Sequence, residues 1–241
     1  MKLRLALSAT LLLTLSAMRA EEKQGLVIPF KTVSVSSPVL QEVIDSVLVD
    51  EGAEVTEGQP IVQLRAEREA LEVERTQKLI ELGTFKSEGA QTLFKEKMGS
   101  KEKWLEEQAQ LELSKILHRA ADNMLKEKTV RAPLAGLVVK KYKEAGESVD
   151  RAEKLMDIVN IDQVYVQFYL DPALMNKTKE GQDVRVKIPV SNNAEFTGKI
   201  TFVDPRIDAG SGFFRVKVLL ENKARTIKAG MRATADFGNV K

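Results

Sequence analysis

Few residues in this chain could carry chemistry. Its 241 residues include one histidine, His118, and no cysteine. A lone histidine cannot build a metal site or a Ser-His-Asp triad, and without cysteine there is no thiolate ligand, disulfide or thiol nucleophile. The sequence also contains no glycine-rich phosphate-binding loop. We therefore expect a protein that is not an enzyme, with no catalytic, cofactor-binding or metal-ligating residues.

The charge of the chain is almost balanced. It has 37 Lys and Arg against 35 Asp and Glu, a formal net charge of +2, and only 5% aromatic residues. A nucleic-acid-binding protein usually carries a clear basic excess, and base-stacking platforms need aromatic side chains. The composition therefore excludes DNA and RNA as expected partners.

The first twenty residues have the order of a secretory signal peptide. Lys2 and Arg4 precede an apolar run from Leu5 to Ala17, and this run is shorter than the roughly 20 residues that span a bilayer. We expect cleavage after Ala20 or Ala17 and export to the periplasm. The alternative is that the segment is kept as an inner-membrane anchor.

The chain contains an internal duplication, with one copy at residues 37–64 and the other at 132–158. Each copy has an alternating apolar run, a turn centred on glycine and a second apolar strand, which is the pattern of a hairpin with one buried face. Neither copy is long enough to bury a core alone, so we expect the two to form one small β-sandwich. The alignment pairs Pro38, Gly52, Val55, Ile61 and Leu64 with Pro133, Gly146, Val149, Leu155 and Ile158.

The segment between the copies, residues 65–128, has a helical pattern. There is no proline between Pro60 and Pro133, and apolar residues recur at steps of three and four. We expect these apolar residues to form stripes that pack one helix against a partner helix. The stripe residues are Leu71, Leu79, Leu82, Phe85 and Leu93 in the first half, and Leu105, Ala109, Leu113, Ile116, Ala120 and Met124 in the second.

Both ends of this segment must return to the same β-sandwich, which requires an even number of helices. We therefore predict an antiparallel hairpin with two arms of about 30 residues, each about 45 Å long. We expect Gly99 to end the first helix and Ser100 to cap the second. Trp104, at the start of the second helix, is expected to pack against the first.

After Asn160 the pattern changes to short alternating strands. They are separated by turn residues, and one helical turn is expected after Pro172. Five or six such strands predict a small closed barrel over residues 160–238. The strands begin near Val164, Val184, Phe196, Phe214 and Met231.

In this order, the motifs resemble a known family, the periplasmic adaptor subunits or membrane fusion proteins of resistance-nodulation-division type efflux pumps. The matching motifs are VDEGAEVTEGQPIVQL before the hairpin, KTVRAPLAGLV and EAGESV after it, VYVQFYL, and FFRVKVLLEN with IKAGM. The resemblance implies an elongated α+β fold. It would consist of a split lipoyl-like β-sandwich (residues 26–64 and 129–159), an inserted α-helical hairpin (65–128) and a β-barrel (160–238).

The resemblance also implies a function and partners. Members of this family assemble as a ring, expected to be hexameric, that joins an inner-membrane transporter to a TolC-like outer-membrane channel. Their hairpin tips meet the channel, and they have no cofactor. In this sequence Leu93 and Ser100 fit the spacing of the family's tip motif, and Lys97 lies between them; we expect these three residues to bind the partner.

Two departures from the family accompany the resemblance. Gly89 stands where the tip motif has arginine, and we expect the membrane-proximal domain of the family to be absent. Alternative functions are an adaptor of an ATP-driven exporter or type I secretion system, a structural binding module of the cell envelope, and a lipoyl or biotinyl carrier. The carrier is disfavoured because no modifiable lysine follows Leu64 at a hairpin tip.

Overall fold

The computed structural model describes residues 22–189 and 195–237. The predicted signal peptide lies outside the described residues. The chain divides into two compact units, one made of Pro29–Asp162 and the other of the residues up to Ile28 together with those from Gln163 onward.

The Pro29–Asp162 unit contains two sets of short strands and a helical hairpin. Strands β4 and β5 flank the hairpin in sequence and pair with each other. One sheet has the order β5-β4-β2-β7, and β3 pairs with β6, which pairs with β8. The elements are β1 (Lys23–Ser36), β2 (Glu42–Val47), β3 (Glu54–Val55), β4 (Pro60–Leu64), α1 (Glu67–Lys95), α2 (Lys101–Glu127), β5 (Thr129–Arg131), β6 (Gly136–Lys141), β7 (Ser148–Val149) and β8 (Lys154–Leu170).

The duplicated segments bind each other reciprocally. In the first copy the Gly52 N–H donates to Val138 O at 2.8 Å, and in the second copy the matching Gly146 N–H donates to Ile44 O at 2.8 Å. Each copy therefore supplies the hydrogen-bond partners of the other, as expected for two halves related by an approximate twofold axis. The next turn repeats this, with Gly58 N–H donating to Ala132 O and Ala152 N–H donating to Ser37 O.

The two copies also share one core. Ile61 and its match Leu155 are at most 1% exposed, and so are Leu64 and its match Ile158. Because each half covers the apolar face of the other, the fold class predicted from the duplication is confirmed. The remaining residues of this core include Val35, Ile44, Val55, Val62, Val130, Val138, Val149 and Met156.

The hairpin consists of α1, with 29 residues, and α2, with 27. Ser100 caps α2 as predicted, because its hydroxyl accepts a hydrogen bond from Lys103 N–H at 3.1 Å. The end of α1 differs from the prediction. It is Lys97, with φ of 60°, that adopts the left-handed conformation after α1, and not Gly99.

The most deeply buried side chains between α1 and α2 are small or polar. Thr76, Gly83 and Ser87 are buried on α1, and Ser114 and Ala121 are buried on α2. Near the turn Phe94 and Trp104 stack with ring centroids 5.5 Å apart, which confirms that Trp104 packs against the first helix. Along α1, Thr76, Gly83, Ser87 and Phe94 follow one another at steps of seven, four and seven, the heptad spacing of a two-helix seam.

The predicted packing stripes are not in this seam, and that prediction is wrong. Most of the large apolar side chains assigned to the seam are exposed. Both faces of these helices have three- and four-residue spacing, so periodicity alone cannot select the inner one. Small residues at the seam let the helices approach closely, and its hydroxyls bond to their own helix, as Ser114 Oγ does to Gln110 O at 3.0 Å. The exposed residues are Leu71, Leu82, Phe85, Leu93, Leu105, Leu113, Ile116 and Met124.

A buried ion cluster fixes the root of the hairpin. Lys128, directly after α2, is 6% exposed and pairs with Glu69 of α1 at 3.0 Å and with Glu42 of β2. Burial alone would lower the pKa of Lys128, but its hydrogen bonds to both glutamates raise it. The backbone joins the same point, since Leu64 N–H donates to Lys128 O at 2.8 Å. One ammonium group therefore ties both helices to the β-sandwich.

The second unit is a small barrel. Its strands follow the order β1-β12-β9-β10-β11-β8, and an additional pairing of β1 with β8 closes the sheet. β8 and β11 are aligned from Leu170 opposite Phe214 to Gln163 opposite Glu221. The remaining elements are a 3-10 helix (Pro172–Leu174), β9 (Asp183–Lys187), β10 (Glu195–Val203), β11 (Phe214–Glu221) and β12 (Arg232–Ala235).

The interior of the barrel follows the strand alternation. Val166, Phe168 and Val216 are fully buried. The rings of Phe168 and Phe237 pack edge to face, with their centroids 5.0 Å apart. No helix among the described residues is long and apolar enough to cross a membrane.

Exchanging the residue types at two matched turns should change stability in opposite directions. Gly58 has φ of 80°, and its counterpart Ala152 has φ of 64°. Ala152→Gly should raise the free energy of unfolding by about 0.5–1 kcal/mol, and Gly58→Ala should lower it by about 1 kcal/mol, because only glycine adopts this conformation without strain. Urea denaturation of both variants measures this. If both substitutions changed the free energy of unfolding in the same direction, the shared left-handed conformation of residues 58 and 152 would be contradicted.

Removing the buried ammonium should cost far more than removing an exposed one. Lys128→Met leaves two partly buried glutamates without their cation and should lower the free energy of unfolding by about 2–4 kcal/mol. Lys126→Met is the matched control, because Lys126 pairs with Asp122 at 2.6 Å on the exposed side and should change stability by less than about 1 kcal/mol. Thermal unfolding at pH 7 provides the comparison.

The penalty of Lys128→Met should also depend on pH. Burial alone would raise the pKa of Glu42, yet its hydrogen bond from Lys128 and its other polar contacts hold this pKa below the ordinary value. The parent protein therefore loses this stabilisation as the pH falls below about 4, whereas the variant has none of it to lose. If the difference in the free energy of unfolding between the parent and Lys128→Met stayed constant down to pH 3, the stabilising role of the Lys128–Glu42 ion pair would be contradicted.

Candidate functional site

The turn between the helices is held by a regular helix-ending motif. Met98 N–H donates to Leu93 O at 2.8 Å and Lys97 N–H donates to Phe94 O at 3.1 Å, which are the two bonds of a Schellman motif. Gly99 is needed here for close approach, since a Cβ on Gly99 would lie 3.1 Å from the Cβ of Leu93. The turn is therefore rigid, and it holds Leu93 and Ser100 at fixed positions.

An apolar cavity of about 390 Å³, which we call the tip groove, runs along one side of the hairpin next to this turn. Two of the predicted partner-binding residues, Leu93 and Ser100, line it, whereas Lys97 does not. Leu93 is 47% exposed. The structure brings two of the three predicted residues to one surface, and their role in partner binding stays a prediction. The groove is lined by Phe85, Lys86, Gly89, Ala90, Leu93, Gly99, Ser100, Lys103 and Glu107.

The polar rim of the groove is partly neutralised within the hairpin. Lys103 pairs with Glu106 and Glu107, both at 2.9 Å, and these hydrogen bonds raise the pKa of Lys103. Phe85, on the opposite helix, is 77% exposed, the largest value among the exposed apolar side chains of the described chain. An open apolar surface with paired charges at its rim is suited to binding another protein.

Sequence reasoning missed most of the groove. It identified Leu93 and Ser100 from family spacing, noted Gly89 only as a departure from the tip motif, and overlooked Lys86 and Ala90. The spacing of these residues contained the missing signal. Lys86, Gly89, Ala90 and Leu93 stand at positions i, i+3, i+4 and i+7 of α1, which together surround one hole on a helix surface.

A second apolar surface lies on α2 and faces away from α1. We call it the outer face of α2, and it consists of Leu105, Leu113, Ile116 and Met124. Each of these side chains is between 47% and 58% exposed. A row of exposed apolar side chains along a helix is typical of a surface that packs against another helix.

His118 has a structural role at the seam. Its Nδ1 lies 3.1 Å from Thr76 Oγ1, which is also within hydrogen-bond distance of the backbone oxygens of Glu72 and Val73. The single hydroxyl proton of Thr76 can serve only one acceptor, so a donating His118 Nδ1–H satisfies this cluster. Among the described residues no group of three or more histidine or carboxylate side chains could hold a metal ion.

A cavity of about 800 Å³ lies in the barrel unit beside the loop from Asp204 to Phe213. Its central carboxylate is Asp204, which pairs with Arg206 at 3.3 Å and Arg215 at 3.2 Å. Hydrogen bonds from the Arg206 side chain and backbone lower the pKa of Asp204. These contacts tie the loop to Arg215 of β11 through Asp204.

Two protein-family models match the chain. A CzcB-like barrel-sandwich hybrid domain matches residues 31–160, and a CusB-like β-barrel domain matches residues 163–241. The first match covers more than half of the chain and includes the duplicated segments, the hairpin and its tip groove.

Curated relatives agree with this assignment. The nodulation protein NolF of Rhizobium meliloti is 25% identical over 133 residues, which cover 55% of this chain and 36% of NolF. The cation efflux system protein CzcB of an Alcaligenes species is 21% identical over 217 residues, which cover 83% of this chain and 42% of CzcB. The chain thus spans about two fifths of the length of these relatives.

The fold also resembles a solved structure with a similar hairpin. A MacA–MexA chimera containing the α-hairpin domain of Pseudomonas aeruginosa MexA superimposes with a TM-score of 0.80 at 18% identity, covering 90% of this chain and 81% of the chimera. The reciprocal β-halves, the inserted hairpin and the matching models lead to one assignment. This chain belongs to the CzcB-like family of membrane fusion proteins, the periplasmic adaptors of efflux pumps.

Proposed function

We propose that this protein is a non-catalytic periplasmic adaptor that links an inner-membrane transporter of the resistance-nodulation-division class to a TolC-type outer-membrane channel. The observation that carries the proposal is the hairpin itself. It extends from a rigid root at Lys128 and ends in an apolar tip groove. Nothing in the hairpin's own packing uses that groove.

The dimensions of the hairpin suit a bridging role. Helix α1 has 29 residues and therefore extends about 43 Å from the β-sandwich. The buried ion cluster and the Leu64–Lys128 backbone bond hold both helices at the root. A stiff arm of this length can transmit force between two partners, and the energy for transport comes from the transporter.

We further propose that several copies associate side by side in a ring, with six copies as in the related adaptors. The outer face of α2 supports this. Its four large apolar side chains are about half exposed. A neighbouring hairpin would bury them, which releases roughly 25 cal/mol for each Å² of apolar surface removed from water.

A charge at the tip should separate the adaptor from its channel. Leu93→Asp places a carboxylate in the apolar groove and should weaken channel binding at least about tenfold, because burying an unpaired charge is costly. Transporter binding and folding should stay unchanged, and export should be lost. Affinity purification of the tagged protein from its own host, with quantification of transporter and channel, measures this.

Leu71→Asp is the matched control for the tip variant. Leu71 is 66% exposed on the same helix, about 33 Å from Leu93 by helical rise. It adds the same charge far from the tip and should leave the channel bound. If Leu93→Asp retained both partners and normal export, the proposed docking role of the tip would be wrong.

The outer face of α2 can be tested by the oligomeric state. Ile116→Glu should weaken self-association at least about tenfold, since a carboxylate replaces an apolar contact at the centre of the face. Gln108→Glu adds the same charge at an exposed α2 position outside that face and should change little. Sedimentation of the mature chain over a range of concentrations compares the two. If Ile116→Glu and Gln108→Glu weakened self-association equally, the outer face of α2 would not be the contact between copies.

A further inference from the structure

We propose that the hole at Gly89 in the tip groove receives one bulky apolar side chain from a helix of the outer-membrane channel. This inference rests on the docking role proposed above and names the contact that decides which channel fits. The hole is bounded on α1 by Lys86, Gly89, Ala90 and Leu93. Four residues at this spacing form the socket for one side chain of a neighbouring helix.

Two glycines interrupt α1, and only one of them is explained by the hairpin. A Cβ on Gly83 would lie 3.3 Å from Leu111 Cα, so the approach of α2 requires glycine there. A Cβ on Gly89 would have no atom within 4 Å in the described part of the chain. Alanine would favour the helix more at this exposed position. The missing side chain therefore serves something outside the hairpin.

The shape of the groove specifies a helix as the occupant. The groove is lined by three small residues, Gly89, Ala90 and Gly99, and by the larger side chains of Phe85, Leu93 and Lys103. A third helix lying along this groove would place a large side chain over Gly89. A leucine side chain on residue 89 itself would fill the same space and exclude the incoming one.

The charges at the turn favour a partner with carboxylates near its docking residue. Lys95, Lys97 and Lys101 form no ion pair among the described residues, and only two glutamates, Glu96 and Glu102, stand beside them, so the turn is basic on balance. A channel helix with carboxylates next to its bulky apolar residue would be attracted to this surface.

The test measures binding of the full mature chain to the TolC-type channels of its own organism, each purified in detergent and immobilised for biolayer interferometry. Gly89→Leu should raise the dissociation constant at least about tenfold, and Gly89→Ala about threefold. Both variants should melt at the parent's temperature or above it, because each residue favours helix more than glycine does. Weaker binding by a more stable protein cannot be explained by misfolding.

Thr92→Leu is the matched control. Thr92 is exposed on the same helix and does not line the groove. It receives the same leucine side chain and should change the dissociation constant by less than about twofold. If Thr92→Leu weakened binding as much as Gly89→Leu, added bulk anywhere near the tip would explain the effect and the hole would be refuted.

The outcomes separate this inference from the function on which it rests. If Gly89→Leu binds like the parent while Leu93→Asp does not bind, the tip docks to the channel and the Gly89 hole is not a socket. If the parent and both variants all fail to bind every channel, the docking role itself is wrong. Selective loss in the Gly89 variants supports the socket.

Discussion

The reciprocal pairing of the two duplicated segments is the constraint on which the structure depends. Each half lacks both the strands and the apolar cover to fold alone, and each supplies them to the other through matched bonds such as Gly52 N–H to Val138 O and Gly146 N–H to Ile44 O. This pairing brings Leu64 and Lys128 side by side although 64 positions separate them in sequence. An insertion whose ends are held this closely can project only as an even number of helices.

The seam of the hairpin shows how the chain divides its apolar residues between folding and binding. Thr76, Gly83, Ser87, Ser114 and Ala121 bring the helices together with little apolar volume. Many of the larger side chains stay outside on both helices, whereas Phe94, Trp104 and Leu111 pack between them. The root adds a buried ion cluster at Lys128 to this packing. Exposed leucines on a stiff arm are suited to association with other proteins.

Sequence patterns predicted some features and could not predict others, for physical reasons. The duplication fixed the fold class because aligned glycines and apolar positions carry the geometry of a β-hairpin, and Ser100 was identifiable because an N-cap is a local interaction. The seam was missed because Thr76, Ser87 and Ser114 are polar residue types, and a search for apolar periodicity selects the opposite face. The ion cluster of Lys128 joins residues 86 and 59 positions apart, and no local pattern records such a contact.

The end of α1 illustrates how one residue type can serve a different purpose from the one its propensity suggests. Glycine is the usual residue after a helix, yet the left-handed position belongs to Lys97, and Gly99 is used for its lack of a side chain against Leu93. Gly83 is used in the same way against Leu111. Two of the three hairpin glycines are therefore explained by contacts that a Cβ would obstruct. A Cβ on Gly89 would meet no atom among residues 22–189 and 195–237, which is why we look for its explanation in a partner.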